Sequence, residues 1–191
     1  TSWIFTQQSR PKQTPPHFTT TPNSKTTSAT EQESTTPPAR GRHFGRMVWM
    51  KDITSLLQRE GVSAPMSQEI ARWLMIYCRH FRIPPDVALA IIYVESSFDR
   101  FAVSVAGAQG LMQVMPFWRD KIGTADDNLF NVEVNIRYGC AILRHYLDRY
   151  RTLDVALSAY NGSIGSQRYA RRVRAAMRRF GAIPTLADLE H

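Results

Sequence analysis

The amino-acid sequence predicts a mainly α-helical domain that follows a segment too polar to fold. Apolar residues recur at helical spacing, prolines stand where helical segments begin, and no succession of alternating strands is visible. Residues 1–44 are instead dominated by Thr, Ser and Pro, and cannot bury enough apolar surface to offset the entropy lost on ordering. The predicted organisation is a disordered linker (1–44), a helical domain (45–183) and a C-terminal tail (184–191).

The composition limits the class of protein and of partner. With 191 residues, 43% of them hydrophobic, the chain has room for one domain with a real core. A formal net charge of +8 favours an anionic partner, and composition does not choose between nucleic acid, a membrane surface and an acidic polymer. No apolar stretch is long enough to span a bilayer. Residues 1–20 contain no hydrophobic signal region, so we expect a removed upstream targeting segment or a longer parent chain.

Three helices are predicted in the first half of the domain. A short amphipathic helix carries Ile53, Leu56 and Leu57 and ends at Gly61. A second helix begins at Pro65 and has one apolar face, formed by Ile70, Trp73, Leu74, Tyr77 and Phe81. Pro84-Pro85 opens a third, whose residues 87–94 are apolar on every side and predict a buried central helix.

The second half continues the helical pattern. A loop rich in Gly, Ala and Ser leads to a short helix around residues 110–113, and a long helix follows from about Val132 to Tyr150. Thr152 caps another helix, Leu153 to Tyr160, which ends at an Asn161-Gly162 turn. The last helix has an apolar stripe, formed by Tyr169, Val173, Met177 and Phe180.

Two segments, one before the domain and one on its last helix, are rich in basic residues, and both are interpreted as solvated. The first is a hinge at the end of the linker, containing Arg40, Arg42, His43 and Arg46. The second is the outer face of the last helix, containing Arg168, Arg171, Arg172, Arg174, Arg178 and Arg179. A nucleic-acid interface is the alternative for the second segment, but no aromatic residues interleave it and no nucleic-acid motif is present.

Glu95 does not fit the core that surrounds it in the sequence. It follows eight apolar or small residues on a helix that must be buried, and carboxylates are rarely buried without a purpose. Desolvation and the negative end of the helix dipole both disfavour its anion, so we predict a raised pKa. A carboxyl group that stays protonated near neutral pH is a candidate general acid. The alternative is an ordinary surface residue at the point where the helix emerges.

Three blocks of this sequence resemble the soluble lytic transglycosylase family. The first comprises Glu95-Ser96-Ser97-Phe98-Asp99 and Ala102-Val103-Ser104, the second is GAQGLMQVMP over residues 107–116, and the third is Ala159-Tyr160-Asn161. The blocks occur in the family's order at comparable spacing, within a similarity that runs from about residue 68 to 175. One departure is Gly162-Ser163, where the family often has Ala-Gly.

The resemblance implies a goose-type-lysozyme-like fold and a peptidoglycan-cleaving activity. It implies that Glu95 protonates the glycosidic oxygen between N-acetylmuramic acid and N-acetylglucosamine, and then takes the proton of the muramic C6 hydroxyl as a 1,6-anhydro ring closes. It further implies that Tyr160 donates a hydrogen bond to Glu95 and orients it. Substrate-binding roles are implied for four further residues: Ser96, Met112, Gln113 and Asn161.

Two other activities remain open at this point. A muramidase that hydrolyses the same bond needs a second carboxylate, and none of the nearby candidates is convincing: Asp99, Asp120, Asp126 and Asp127. Asp126 and Asp127 are expected to cap or initiate local structure before the long helix. A non-catalytic peptidoglycan-binding protein would retain the fold without needing Glu95, Gln113 and Tyr160 together.

No metal or organic cofactor is predicted, because the five histidines and two cysteines show no ligand spacing. Cys78 and Cys140 are interpreted as buried free thiols, with a disulfide between two helices as the alternative. The expected location is the periplasm or cell envelope of a bacterium. The expected partners are peptidoglycan glycan strands, with a secretion or envelope-spanning machine as a further candidate, and no nucleic acid.

Overall fold

The computed structural model describes residues 39–181 and 183, with side chains from residue 44 onward. That part of the chain contains seven α-helices, a 3-10 turn and no strand. The helices are α1 (Ala39–Arg59), α2 (Ala64–Phe81), α3 (Pro85–Ser96), α4 (Arg119–Ile122), α5 (Val132–Arg149), α6 (Leu153–Tyr160) and α7 (Arg168–Phe180), and the 3-10 turn is Pro116–Trp118. The prediction of a mainly α domain is confirmed.

Helix α3 lies at the centre of the core, as its sequence predicts. Every side chain from Val87 to Ile92 is buried, and each buried Leu or Ile contributes about 2 kcal/mol through removal of apolar surface from water. Helix α3 packs against α2 and α7, α2 packs against α1 and α5, and α6 contacts both α5 and α7. In the described part of the chain, no helix has both the length and the apolar character needed to cross a membrane.

The predicted linker boundary is wrong by six residues. Helix α1 begins at Ala39, so residues 39–44 are helical and the basic residues from Arg40 to Arg46 lie within a helix, not in a hinge. Alanine and arginine have high helix propensity, and Pro37-Pro38 directly precedes them. The rest of the predicted linker, residues 1–38, and the predicted tail, residues 184–191, lie outside the described residues.

The short helix predicted around residues 110–113 is also wrong. The chain there forms a tight turn, in which Gln109 makes isolated antiparallel bridges to Val103 and to Val114. Gly110 and Gln113 have φ values of 76° and 50°, which a right-handed helix does not contain. In contrast, α6 has both predicted ends, and α5 begins at Val132 as predicted and ends one residue early.

The two cysteines connect α2 and α5 without a covalent bond. Cys78 and Cys140 are both buried and free, as the first of the two interpretations predicts. A hydrogen bond with Cys140, together with burial, raises the pKa of the Cys78 thiol. Both thiols therefore act as small apolar groups in the core.

Candidate active site

Glu95 occupies the last turn of α3, next to the end of the apolar helix. The helix ends at Ser96, and the left-handed Ser97 closes it by donating its N–H to the carbonyl of Tyr93. The Glu95 side chain is partly buried. Burial raises the pKa of Glu95 to about 7, against smaller lowering effects from a Tyr169 hydrogen bond and the Arg172 charge. The predicted upward shift is confirmed, and a large fraction of this carboxyl group is protonated at neutral pH.

Tyr169 holds the carboxylate of Glu95 from the neighbouring helix α7. Its hydroxyl donates to Glu95 Oε1 at 2.6 Å. The Tyr169 side chain is only 3% exposed, and burial together with the Glu95 charge raises the pKa of Tyr169 well above its usual value. The phenol therefore remains protonated and is a permanent donor to this carboxylate.

Tyr160 does not make the hydrogen bond that the resemblance implies. Its hydroxyl donates to the carbonyl oxygen of Met112 at 2.8 Å, which ties α6 to the 109–113 turn. It nevertheless lies close to the catalytic candidate, because the Glu95 charge adds to burial in raising the pKa of Tyr160. The expectation that Tyr160 orients Glu95 through a hydrogen bond is therefore corrected, and Tyr169 has that contact.

Met112 is also placed differently from the expectation. Its side chain is fully buried, at 0% exposure, and packs against Gly139 of α5 so closely that a Cβ at Gly139 would lie 2.2 Å from the Met112 sulfur. The side chain therefore belongs to the core and does not line an accessible groove. Its backbone is what reaches the site, because the Met112 carbonyl accepts from Tyr160 and its N–H donates to Asn135 Oδ1 at 2.7 Å.

Asn135 holds the 109–113 turn in place through side-chain hydrogen bonds. This α5 residue is 1% exposed, and its Nδ2 donates to the carbonyls of Gln109 and Leu129 at 2.8 and 2.7 Å. Because Oδ1 also accepts from the Met112 N–H, both the donor and the acceptor of the buried Asn135 amide have hydrogen-bond partners. Gly110 leaves the space for it, because a Cβ there would lie 2.4 Å from Asn135 Nδ2.

The three predicted substrate-binding residues other than Met112 make local hydrogen bonds. Gln113 Nε2 donates to the carbonyls of Ala102 and Gly110 at 3.1 and 3.0 Å. Ser96 Oγ donates to Ile92 within α3, and Asn161 Nδ2 donates to Ser163 Oγ at the end of α6. All three are partly exposed. These hydrogen bonds do not reach Glu95, and the substrate roles of the three residues remain predictions.

The backbone around Glu95 is in a strained conformation. Four non-glycine residues among those described have positive φ, and three of them, Ser97, Phe98 and Gln113, belong to segments that adjoin the site. Such conformations cost about 1–3 kcal/mol each and concentrate at functional positions. The Phe98 ring packs against the core and so holds the left-handed residues Ser97 and Phe98 in place. It is 7% exposed, and its centroid lies 5.9 Å from that of Tyr93 and 6.3 Å from that of Phe180.

The other acidic candidates have separate surroundings. Asp127 Oδ2 accepts from Tyr138, Thr124 and Arg137, and the Tyr138 hydrogen bond is the main cause that lowers the pKa of Asp127. Asp99 accepts from the N–H of Phe101 in an exposed turn. Within the described residues, the side chains that shift the pKa of Glu95 are Tyr169 and Arg172, and no carboxylate is among them. In the same part of the chain, no cluster of three or more acidic, His or Cys residues could hold a metal ion.

The sequence patterns did not single out two residues of this site. Tyr169 is interpreted there as part of the apolar stripe of α7, and Asn135 receives no role. One signal exists for each: a tyrosine in a core stripe needs a partner for its hydroxyl, and an asparagine inside a long amphipathic helix must satisfy its amide. Neither signal identifies which group is the partner.

Comparisons with known proteins find similarity over much of the helical domain. A family model described as "Transglycosylase SLT domain" matches residues 74–179, which is more than half of the chain. The chain is 32% identical over 94 residues to a "Transglycosylase" of Enterobacteria phage PRD1, covering 49% of this chain and 35% of that protein.

Two cellular relatives have similar extents. The chain is 40% identical over 92 residues to "Membrane-bound lytic murein transglycosylase F" of Desulfosudis oleivorans, covering 44% of this chain and 20% of that protein. It is 35% identical over 105 residues to "Membrane-bound lytic murein transglycosylase C" of Actinobacillus pleuropneumoniae, covering 46% and 29%. The chain thus spans about a fifth to a third of the length of these relatives.

Proposed function

We propose, given that this chain belongs to the transglycosylase SLT domain family, that it is a lytic transglycosylase of peptidoglycan. It cleaves the β-1,4 bond between N-acetylmuramic acid and N-acetylglucosamine and leaves a 1,6-anhydro-muramic end. The observation that carries this proposal is Glu95, a partly buried carboxyl group with a pKa of about 7 and no second carboxylate acting on it among the described residues. One group that is protonated and ionised in comparable amounts is suited to act first as acid and then as base.

The reaction needs two proton transfers at the same carboxyl group. Protonated Glu95 donates its proton to the glycosidic oxygen, and the bond from C1 of the muramic sugar to that oxygen breaks. The Glu95 carboxylate then accepts the proton of the C6 hydroxyl, whose oxygen forms the new bond to C1. Glu95 ends in its protonated state, and no water is consumed.

The surrounding residues have supporting roles in this proposal. Tyr169 is a positioning residue, since it fixes Oε1 by a 2.6 Å hydrogen bond and lowers the pKa of Glu95 against the effect of burial. Tyr160 fixes the Met112 carbonyl and hence the turn that carries Gln113. Ser96, Gln113 and Asn161 are proposed to contact the glycan from the segments on either side.

The proposed location is the bacterial cell envelope. Two relatives have names that describe membrane-bound murein enzymes, and peptidoglycan is an envelope polymer. A secretion or envelope-spanning machine is a further candidate partner. A muramidase that uses water is the alternative activity. It needs a second carboxylate, and none is among the described groups that shift the pKa of Glu95.

The acid/base role of Glu95 is tested by replacing it with glutamine. Glu95→Gln should lower the rate at which the chain clears suspended, purified peptidoglycan by about a thousandfold, because general acid–base catalysis contributes about 10²–10⁴-fold. The matched control is Glu133→Gln, a second partly buried glutamate that accepts a hydrogen bond from Tyr77, which should keep the parental rate. Undiminished clearing by Glu95→Gln would refute the proposal. Binding of peptidoglycan with no clearing by the parent chain would instead indicate a non-catalytic binding protein.

A further inference from the structure

The first turns of α1 expose apolar side chains that the domain does not cover. Phe44, Met47 and Val48 are 66%, 55% and 40% exposed. They lie at i, i+3 and i+4, so they share one face of the helix. The first buried side chain described in α1 is Trp49, at 1% exposure, and residues 44–48 are all exposed or partly exposed. We refer to Phe44, Met47 and Val48 as the α1 patch.

The part of α1 that carries the α1 patch is positively charged. Residues 39–51 of α1 contain four Lys or Arg residues and no Asp or Glu, which gives a formal charge of +4. Two of these cations are exposed: Lys51, four residues after Met47, shares the face of the α1 patch, and Arg46 projects from another side of the helix. Arg40 and Arg42 precede the α1 patch in the same helix. The first acidic residue of the helix is Asp52.

We propose that the first half of α1 binds the surface of an anionic phospholipid bilayer. An interfacial helix needs apolar side chains that enter the acyl boundary and cations that contact the headgroups, and the α1 patch with its flanking charges has both. A second copy of the chain fits this surface less well, because pairing would bring two segments of +4 charge together. Nucleic acid would use the cations but gives no reason for the exposed apolar face. Binding of this kind places the helix at the interface and does not require a spanning segment.

Sedimentation with lipid vesicles tests the proposal on the full chain. The parent should sediment with vesicles that contain equal parts of phosphatidylcholine and phosphatidylglycerol, and should remain in solution with phosphatidylcholine alone. Added salt should weaken the binding, because the headgroup attraction is screened. Phe44→Asp combined with Met47→Asp should lower the partition coefficient at least about tenfold, and Arg46→Gln combined with Lys51→Gln should lower it about tenfold.

Two matched variants separate the α1 patch from general effects. Phe101→Asp replaces a phenylalanine with the same 66% exposure elsewhere in the domain, and should leave vesicle binding unchanged. Arg171→Gln combined with Arg178→Gln removes two exposed charges from α7, and should weaken binding less than the α1 charge variant does. All substituted side chains are exposed, and circular dichroism verifies that each variant is folded.

Three results would overturn the proposal. The first is the absence of sedimentation of the parent chain with anionic vesicles at low salt. The second is an equal loss in the α7 and α1 charge variants, which would attribute binding to net charge alone. The third is a dimer of the parent in size-exclusion chromatography that Phe44→Asp converts to a monomer, which would assign the α1 patch to a second copy. These tests do not involve glycan cleavage, so their outcome is independent of the proposed activity.

Discussion

The proposed chemistry of this domain depends on the ionisation of one side chain. Glu95 lies where an apolar helix ends, and both desolvation and the unfavourable helix terminus act against its anion. Tyr169 and Arg172 act in the opposite direction, since each stabilises the charged form. The balance leaves the pKa of Glu95 at about 7, where neither protonation state costs much free energy. A carboxyl group that must donate and then accept one proton benefits from that balance.

The pH dependence of cleavage should report this pKa. The first step requires protonated Glu95, so the rate should be constant on the acid side of the pKa of Glu95 and should fall tenfold per pH unit as the pH rises above about 7. Initial rates on a soluble muropeptide, measured across the neutral range, check this expectation. A fall that begins near 4.5, the ordinary value for glutamate, would show that burial does not protect the proton.

The two tyrosines near Glu95 should respond differently to removal of their hydroxyls. Tyr169→Phe removes a hydrogen bond that lowers the pKa of Glu95, so the alkaline limb of the pH–rate profile should move to higher pH while the maximal rate falls about tenfold. Tyr160→Phe removes the bond to the Met112 carbonyl. It should leave the alkaline limb in place and lower the free energy of unfolding by about 1 kcal/mol.

A shift of the limb in the Tyr160 variant alone would contradict this assignment. It would restore the role that the sequence resemblance implies for Tyr160. Both variants keep the aromatic ring, so packing is matched between them, and urea denaturation measures any loss of stability separately from the pH profile.

At the scale of elements, the turn at residues 109–113 positions Gln113 and the Met112 carbonyl. It lies outside any helix, and its shape comes from the buried amide of Asn135 and from the left-handed residues Gly110 and Gln113. The turn is thus held by α5, and through the Tyr160 hydrogen bond it is joined to α6. Two helices that are distant from the turn in sequence therefore determine its shape.

Two glycines of this segment form a matched pair for testing the role of Asn135. Gly107 and Gly110 both have left-handed backbones, with φ values of 86° and 76°, but a Cβ at Gly107 meets nothing within 4 Å. Gly107→Ala should therefore cost only about 1 kcal/mol of backbone strain. Gly110→Ala should cost about 2 kcal/mol more, because its Cβ would overlap Asn135 and the Leu129 carbonyl.

Urea denaturation of the two variants measures this difference. Equal losses of unfolding free energy would mean that the contact between Gly110 and Asn135 does not hold the turn. The Gly110 variant should also lose more cleavage activity than the Gly107 variant, because a displaced turn moves Gln113 and the Met112 carbonyl together.

The sequence predicts the elements of this domain better than it predicts their junctions. Helix α6 and the buried character of α3 follow from local periodicity and from proline and asparagine signals, and both are as predicted. The 109–113 turn is misjudged as a helix because the contacts that shape it come from Asn135, more than twenty residues away. The role implied for Tyr160 differs from the structure for a similar reason, since which tyrosine bonds to Glu95 depends on how α7 packs with α3 and with α6.

At the scale of the whole molecule, the basic side chains make several different kinds of contact. Arg174 pairs with Asp154 at 2.6 Å, Arg179 pairs with Glu60 at 3.0 Å, and Arg172 donates to the carbonyl of Val94 beside the site. The arginine face of α7 is therefore partly structural, which a purely solvated face does not predict. The charge of α1 instead accompanies the exposed apolar patch for which we propose a bilayer surface.

The helical core also explains why the site has the composition it does. Residues 87–92 of α3 are all buried, and after them the helix becomes partly exposed in its last turn, where Glu95 lies. Helix α7, the main neighbour of α3, supplies the hydrogen-bond donor there. The proposed closure of the sugar upon itself is consistent with the groups that shift the pKa of Glu95, which include no carboxylate among the described residues, since attack by water usually needs a second carboxylate.

Mass spectrometry of the muropeptides released from purified peptidoglycan in ¹⁸O-labelled water tests this central claim most directly. If Glu95 alone serves as acid and base, the products will carry 1,6-anhydro-muramic ends, lighter than reducing ends by the mass of one water molecule and free of label. Reducing ends that contain ¹⁸O would show that water attacks the muramic C1, and would contradict the single-carboxylate mechanism.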